Sequence, residues 1–374
     1  MSRISCPRRG LPQLDQQLRT LPNGDAMKGL HAMIFILACS SVGAQEVVPK
    51  RIDLADQADV VSDVANKAKN TNILSPDRRF VVEGDTVLTS QLLTAREIVF
   101  KPKSRLIFSD SGPNTAGQFF IVVDRLLVED PYNPGIITWA RATPPTPPDR
   151  GQAGPGSAGA GEGAGGGAGP SGATGSTGAG GGNAPALTMM IRNVGKGGLV
   201  IDMQGAPGGK GGAGQVGGQG GSGAQGSPAR QSRAGGPFNT TIWLPSCESG
   251  PGRGGNGGTG GAGGSGGLGG RGGNGGNVTL VSTPASLPTL FQAIRVNIGG
   301  GVGGSPGDGG SGGSGGSGGP EGQLANFCNS AGRVGLPGGS GAPGPVGTAG
   351  EPGRAGQPYV STLEDAQFTA LFGF

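Results

Sequence analysis

The chain has 374 residues, of which 85 are glycine and 30 proline, while aromatics make up 4% and charged residues 14%. So much glycine beside so little apolar bulk excludes a conventional core over the whole length and leaves room for one ordinary domain. The formal net charge is +4, but no basic tract of the kind that grips a phosphate backbone is present, so nucleic acid is not an expected partner.

Residues 1–44 read as a leader. Residues 1–26 are polar and unpatterned, and the true start is expected at Met27. Met27 and Lys28 open a positive region, Leu30 to Ala38 is an apolar stretch too short to span a bilayer, and Val42-Gly43-Ala44 offers small residues for cleavage before Gln45. The rival reading, Ile36-Leu37-Ala38-Cys39, is a poor lipobox that would lipidate Cys39. Cleavage removes five of the 28 basic and two of the 24 acidic residues, so 23 and 22 remain. It also removes His31, the only histidine, and leaves Cys247 and Cys328 as a pair in an oxidising compartment. The protein is therefore expected to be secreted, either extracellular or on the cell surface.

Residues 45–79 carry helical spacing at Ile52, Leu54, Val60, Val61 and Val64 and are expected to form a short helix or cap. From 80 to 140 the texture changes to short β-branched and aromatic runs, among them REIVFKPKSRLIFSD and QFFIVVDRLLVED, punctuated by Gly, Pro, Asn and Asp. Two similar runs follow at 187–204 and 278–298. Strand, tight turn, strand and long excursion is the layout of stacked solenoid rungs. In this the chain resembles the parallel β-helix scaffold of many secreted bacterial proteins. The same strands would also make a small β-sandwich, and both architectures stand open at this point.

Between the strand runs, over 141–358, glycine recurs at every third residue. Unbroken triplets fill 163–183, 205–228, 254–277 and 332–358, and 300–320 is interrupted once, at Pro306. Period three belongs to polyproline-II-type helices, which have no internal hydrogen bonds and must find partners for their amides elsewhere. Arms of matched length separated by non-periodic segments suggest hairpins that pair within one chain. Collagen and flexible linker are the rivals, and only 332–358 has a collagen-like proline content. The stretch GGNGGTGGAGGSGGLGGRGGN resembles polyglycine-II bundle proteins, a group that includes glycine-rich phage tail-fibre adhesins and the snow flea antifreeze protein. The proline-richer triplets are similar to secreted bacterial collagen-like proteins. The expected fold is all-β plus polyglycine-II: a short parallel β-solenoid-like base bearing about six antiparallel polyglycine-II arms packed as a bundle, with a tail over 359–374.

No catalytic residues, metal ligands or cofactor are expected. Loss of His31 removes histidine-dependent triads and zinc sites. Chance matches to glycine-rich phosphate loops carry no weight here, and Gly205 to Gly211 lacks the required spacing. Asp124, Arg125, Glu129, Asp130 and Asp202 read as solvated turn residues rather than a lyase cluster. The protein is thus expected not to be an enzyme.

The resemblance to the adhesins implies recognition at the bundle tips. If the arms are hairpins of equal height, Cys247 and Cys328 meet at that end as a disulfide. Phe238, Ile242, Trp243, Leu244 and Phe327 are expected around it as a small cap core, and Phe238, Asn239, Thr240 and Trp243 as a contact surface. The expected partner is a cell-surface or extracellular glycan or protein, with self-association as a further property. The alternatives are a purely structural matrix or filament protein and, from the antifreeze resemblance, an ice-binding one, although Leu268 and Arg271 interrupt its candidate face.

Overall fold

The computed structural model describes residues 50–51, 79–109, 117–195, 197–235, 243–328 and 330–372. The expected leader and nearly all of the expected N-terminal helix lie outside the described residues.

The strand runs form two parallel sheets. One contains β1 (Lys50–Arg51), β2 (Arg79–Val82), β4 (Leu92–Phe100), β6 (Gln118–Val128), β8 (Ala186–Val194), β12 (Val278–Ser282) and β14 (Pro358–Thr362), in the order β1-β14-β12-β8-β6-β4-β2. The other contains β3 (Asp85–Leu88), β5 (Arg105–Phe108), β7 (Gly135–Trp139), β9 (Leu199–Asp202) and β13 (Ile294–Asn297), in the order β13-β9-β7-β5-β3. The chain visits the sheets alternately, so each coil supplies one strand to each sheet, as in a β-solenoid. The parallel pairing within both sheets excludes the antiparallel sandwich that the same strands allowed. Residues 359–374 are not a tail: most of β14 lies there, pairing with both β12 and β1, and α2 (Asp365–Phe372) follows it.

Side chains explain this arrangement. Phe100, Phe119, Ile121, Leu187 and Met189 from the first sheet and Leu106, Phe108, Ile137 and Ile201 from the second are fully buried in one core. The rings of Phe108 and Phe119 stack 4.3 Å apart across the layers. The opposite face of the seven-stranded sheet is covered in turn. Phe120, Val122, Met190 and Val281 pack with Leu363 and with Phe368 of α2. Burial on both faces is why QFFIVVDRLLV reads as a nearly continuous apolar run rather than an alternating one. Ion pairs run between successive rungs at Arg79–Glu97, Lys101–Glu129 and Arg105–Asp85.

In the first coils β3 connects directly to β4, and β5 is followed in the chain by β6. The last three close through the glycine-rich segments. β7 leads into arm 1 (151–160) and arm 2 (163–184), which returns to β8. β9 leads into arm 3 (203–228) and, past the tip strands, arm 4 (252–277), which returns to β12. A short helix, α1 (Leu287–Ala293), separates β12 from β13. β13 leads into arm 5 (298–322) and arm 6 (332–357), which returns to β14.

Backbone hydrogen bonds knit the arms in steps of three. Gly208, Gly211, Gly214 and Gly217 of arm 3 donate to Val302, Ser305, Asp308 and Ser311 of arm 5, a parallel register. Gly257, Gly260 and Gly263 of arm 4 donate to Leu336, Gly339 and Ala342 of arm 6, again parallel. Between the two rows the register is antiparallel: Gly258, Gly261 and Gly264 of arm 4 donate to Gly221, Gly218 and Gln215 of arm 3. Arms 1, 3 and 5 thus form one layer and arms 2, 4 and 6 the other. Each layer keeps the neighbour order of the strands at its foot. Except at arm 1, the ladders pass from strand to arm without a break, as Met203 donating to Asn297 and Gly205 donating to Gly299 illustrate. Arm 4 bonds to arms 2, 3, 5 and 6, whereas arm 6 bonds to arms 4 and 5 among the described residues.

Candidate functional site

Apart from Pro306 within arm 5, the breaks in the triplet repeat among the described residues of arms 2 to 6 lie at the end of the arms away from the strands. Arms 1 and 2 are joined by a tight turn in which Ala164 N–H donates to the Gly161 carbonyl. Gly161 and Gly163 both have positive φ, at 101° and 72°, which a side chain would resist. Arm 3 gives way to β10 (Arg230–Gly235), which pairs antiparallel with β11 (Trp243–Ser249) ahead of arm 4. Between arms 5 and 6, residues 323–328 and 330–331 lie in a loop.

These three tips are bound to one another. Gly163 donates to Gln225, Ala229 to Gln323, Gly252 to Ser227 and Gly322 to Gly252. The Gln231 side-chain amide donates to the Asn326 carbonyl at 2.6 Å. Cys247 of β11 and Cys328 of the loop form a disulfide, with Cα atoms 5.0 Å apart. That bond agrees with the expectation drawn from arms of matched length. The described residues contain no helix long and apolar enough to cross a membrane.

Of the five residues expected in the cap core, Phe327 alone has a described side chain, and it does not join a core. Cys328 is buried, but Phe327 beside it is 61% exposed, as is Leu324. Phe327 therefore does not pack around the disulfide. Its backbone lies at φ 69°, within a turn closed by Cys328 N–H donating to the Ala325 carbonyl. Phenylalanine in that left-handed conformation costs about 1–2 kcal/mol relative to its ordinary regions. The strained turn holds the ring out in solvent. Phe238, Asn239, Thr240 and Ile242 lie outside the described residues. Trp243 opens β11 opposite Gly235, and Leu244 follows opposite Ala234.

Sequence reasoning passed over the polar side of this tip. A hollow of about 440 Å³ is lined by Gly161, Glu162, Ala224, Gln225, Gly226, Pro228 and Gln323. It lies where the turn between arms 1 and 2 meets the head of arm 3. Gln225 donates to the Glu321 carbonyl, which fixes its amide. Its residues come from three separate segments, so no local pattern in the chain announces them. The signal that was available is the break in glycine phase at each tip.

The sides of the bundle are chemically plainer. Asn256, Asn274 and Asn277 of arm 4 turn their side-chain oxygens toward arm 6, accepting from the N–H groups of Leu336, Arg354 and Gln357. On the other layer Lys210 of arm 3 donates to Asp308 of arm 5 at 2.8 Å. That hydrogen bond and the charge of the ammonium group hold the Asp308 carboxyl below the usual carboxylate range. At the base, Asp130 is lowered by the Asn133 side chain and by the Tyr132 N–H. Asp124 and Asp202 are engaged by Arg192 and Arg141, and Glu129 by Lys101, as structural ion pairs. The chain matches no protein-family model and no curated protein.

Proposed function

We propose that this is an exported surface or matrix protein in which a β-solenoid foot carries a stalk of polyglycine-II hairpins, and that it binds its partner through the stalk tips. The observation that carries this reading is the convergence of three tips into one disulfide-clamped end with apolar side chains held in solvent. Exposed aromatic and apolar groups on a rigid support are typical of binding surfaces. The three-residue hydrogen-bond period between arms is what polyglycine-II packing requires.

A collagen-type trimer fits less well. Gly335, Gly338, Gly341 and Gly344 of arm 6 already donate to arm 5 of the same chain, which uses the amides that chain association would need. Ice binding by the arm 4 face is weakened because three of its asparagines are engaged with arm 6.

Two measurements test the proposal. The purified 45–374 chain should give a polyproline-II-type circular dichroism spectrum that melts cooperatively. A gradual, non-cooperative melt would favour a linker. Beads coated with the chain should be retained on cell surfaces, and a variant with 236–242 replaced by a Gly-Ser segment should bind less. Equal retention of the two would remove adhesion through that tip. Assembly of the unmodified chain into long polymers without cell retention would favour the purely structural role.

A further inference from the structure

We infer that the distal hollow and Phe327 together form a binding site for a neutral oligosaccharide. The inference rests on the tip-binding reading and names the ligand class for it. The hollow is polar and uncharged apart from Glu162, and no lysine or arginine lines it. Phosphorylated, sulfated or carboxylated ligands would meet a carboxylate there with no cation to receive them. A sugar presents hydroxyl groups that both donate and accept. Glu162 accepts only, while the Gln323 amide donates and accepts. Neither side chain has a hydrogen-bond partner among the described residues, whereas Gln225 next to them is held in place by the Glu321 carbonyl. The hollow, of about 440 Å³, is open to solvent, so it can seat one ring of a longer chain but not enclose it.

The apolar half of the site is Phe327. Sugar rings have an apolar C–H face, and an exposed aromatic ring is a fitting platform for it. Phe327 is presented by a strained turn and is locked on both sides, by the Cys328 disulfide and by the Gln231 contact to Asn326. A turn whose only task was to connect arms 5 and 6 would gain from glycine at this position. Phe327 lies four positions after Gln323, so the Cα atoms of the two residues are at most about 14 Å apart. The site therefore takes an oligosaccharide of at least two rings, one in the hollow and one on the phenyl group.

The test applies the labelled 45–374 chain to an array of neutral di- to tetrasaccharides built from hexoses and N-acetylhexosamines. At least one glycan should be bound. Phe327→Ala and Gln323→Ala should each weaken that binding tenfold or more with the melting midpoint unchanged. Phe327→Gly should weaken it equally while the melting midpoint stays level or rises, because strain is released as the ring is lost. No bound glycan, or binding insensitive to all three substitutions, overturns the inference. Should Phe327→Ala unfold the tip, Gln323→Ala decides. Cell retention is measured alongside. Retention that survives all three substitutions leaves adhesion standing and removes the saccharide site, whereas glycan binding without retention does the reverse.

Discussion

At the residue scale, the glycines of one triplet are not equivalent. A methyl group placed on Gly260 would land on the carbonyl of Gly313, and one on Gly261 on that of Pro170, both belonging to neighbouring arms. A methyl group on Gly339 would meet nothing within 4 Å. The difference follows from position: both glycines of the arm 4 triplet face a neighbouring arm, whereas in the arm 6 triplet Gly338 does and Gly339 faces away. Gly260→Val or Gly261→Val should therefore cost about 3 kcal/mol or more, because the backbone itself must move. Gly339→Ala and substitutions at Ala342 or Pro343 should stay within about 0.5 kcal/mol. Thermal melts of the variants check this, and equal tolerance at the two sets of sites would refute the packing. Lys210 offers a second residue-scale test. The folded-state pKa of Asp308 is depressed, so the contribution of the pair is present above the ordinary carboxylate range and is lost as pH falls through the folded value. Lys210→Met should move the Asp308 titration, followed by carboxyl carbon NMR, upward into the ordinary range. Both groups are largely exposed, so little stability should change.

At the scale of the element, the arms owe their order to partners rather than to internal bonds. An arm of this kind satisfies its amides only through neighbours, so its stability should be lowest where neighbours are fewest. Arm 6 is the clearest case. Asn256, Asn274 and Asn277 fasten the N–H groups of Leu336, Arg354 and Gln357 at its two ends. Changing all three asparagines to alanine should accelerate hydrogen exchange at those amides while leaving Gly261 and Gly264 protected. The disulfide acts on the same elements from the far end. It joins residues 81 apart, and its loss should cost about 2–5 kcal/mol. Cys247→Ser with Cys328→Ser should release Gly319 and Gly322 at the tip first, with Gly276 and Gly301 near the strands holding longest. Uniform exchange along the arms would mean that the clamp has no local effect.

At the scale of the whole molecule, the solenoid and the arms are one hydrogen-bonded construction. Strand order at the base dictates arm order above it, because arms 2 to 6 each start or end at a strand of the matching sheet and arm 1 follows β7 after residues 140–150. A layered array that grows by adding arms needs a stop at its edge. Arm 6 exposes Pro337, Pro343 and Pro352, which carry no N–H to offer a further arm. The proline content that makes 332–358 look collagen-like serves here as an edge treatment, much as edge strands are protected in sheets. Replacing these three prolines with glycine should produce concentration-dependent association in sedimentation experiments that the unmodified chain does not show. Association of both proteins alike would place the self-contact elsewhere.

Local signals in the chain were enough for several features. The triplet period forces amides to pair between segments, and arms of equal length put Cys247 and Cys328 at one height. Strand runs broken by turn residues indicated rungs. Other features depended on what lay beside each segment once folded. Parallel pairing of both sheets decided solenoid against sandwich, which no single strand encodes. Residues 359–374 looked like a tail because PYVST is short, yet β12 and β1 flank it on both sides. Phe327 reads as a core residue from its hydrophobicity, but the left-handed turn beside the disulfide directs it to solvent. The hollow drew Glu162, Gln225 and Gln323 from three distant segments. Sequence thus determined the kind of backbone and its period, because those are local. Only the tertiary structure decided which neighbours each arm and each tip residue would meet, because hydrogen bonds between separate segments carry that choice.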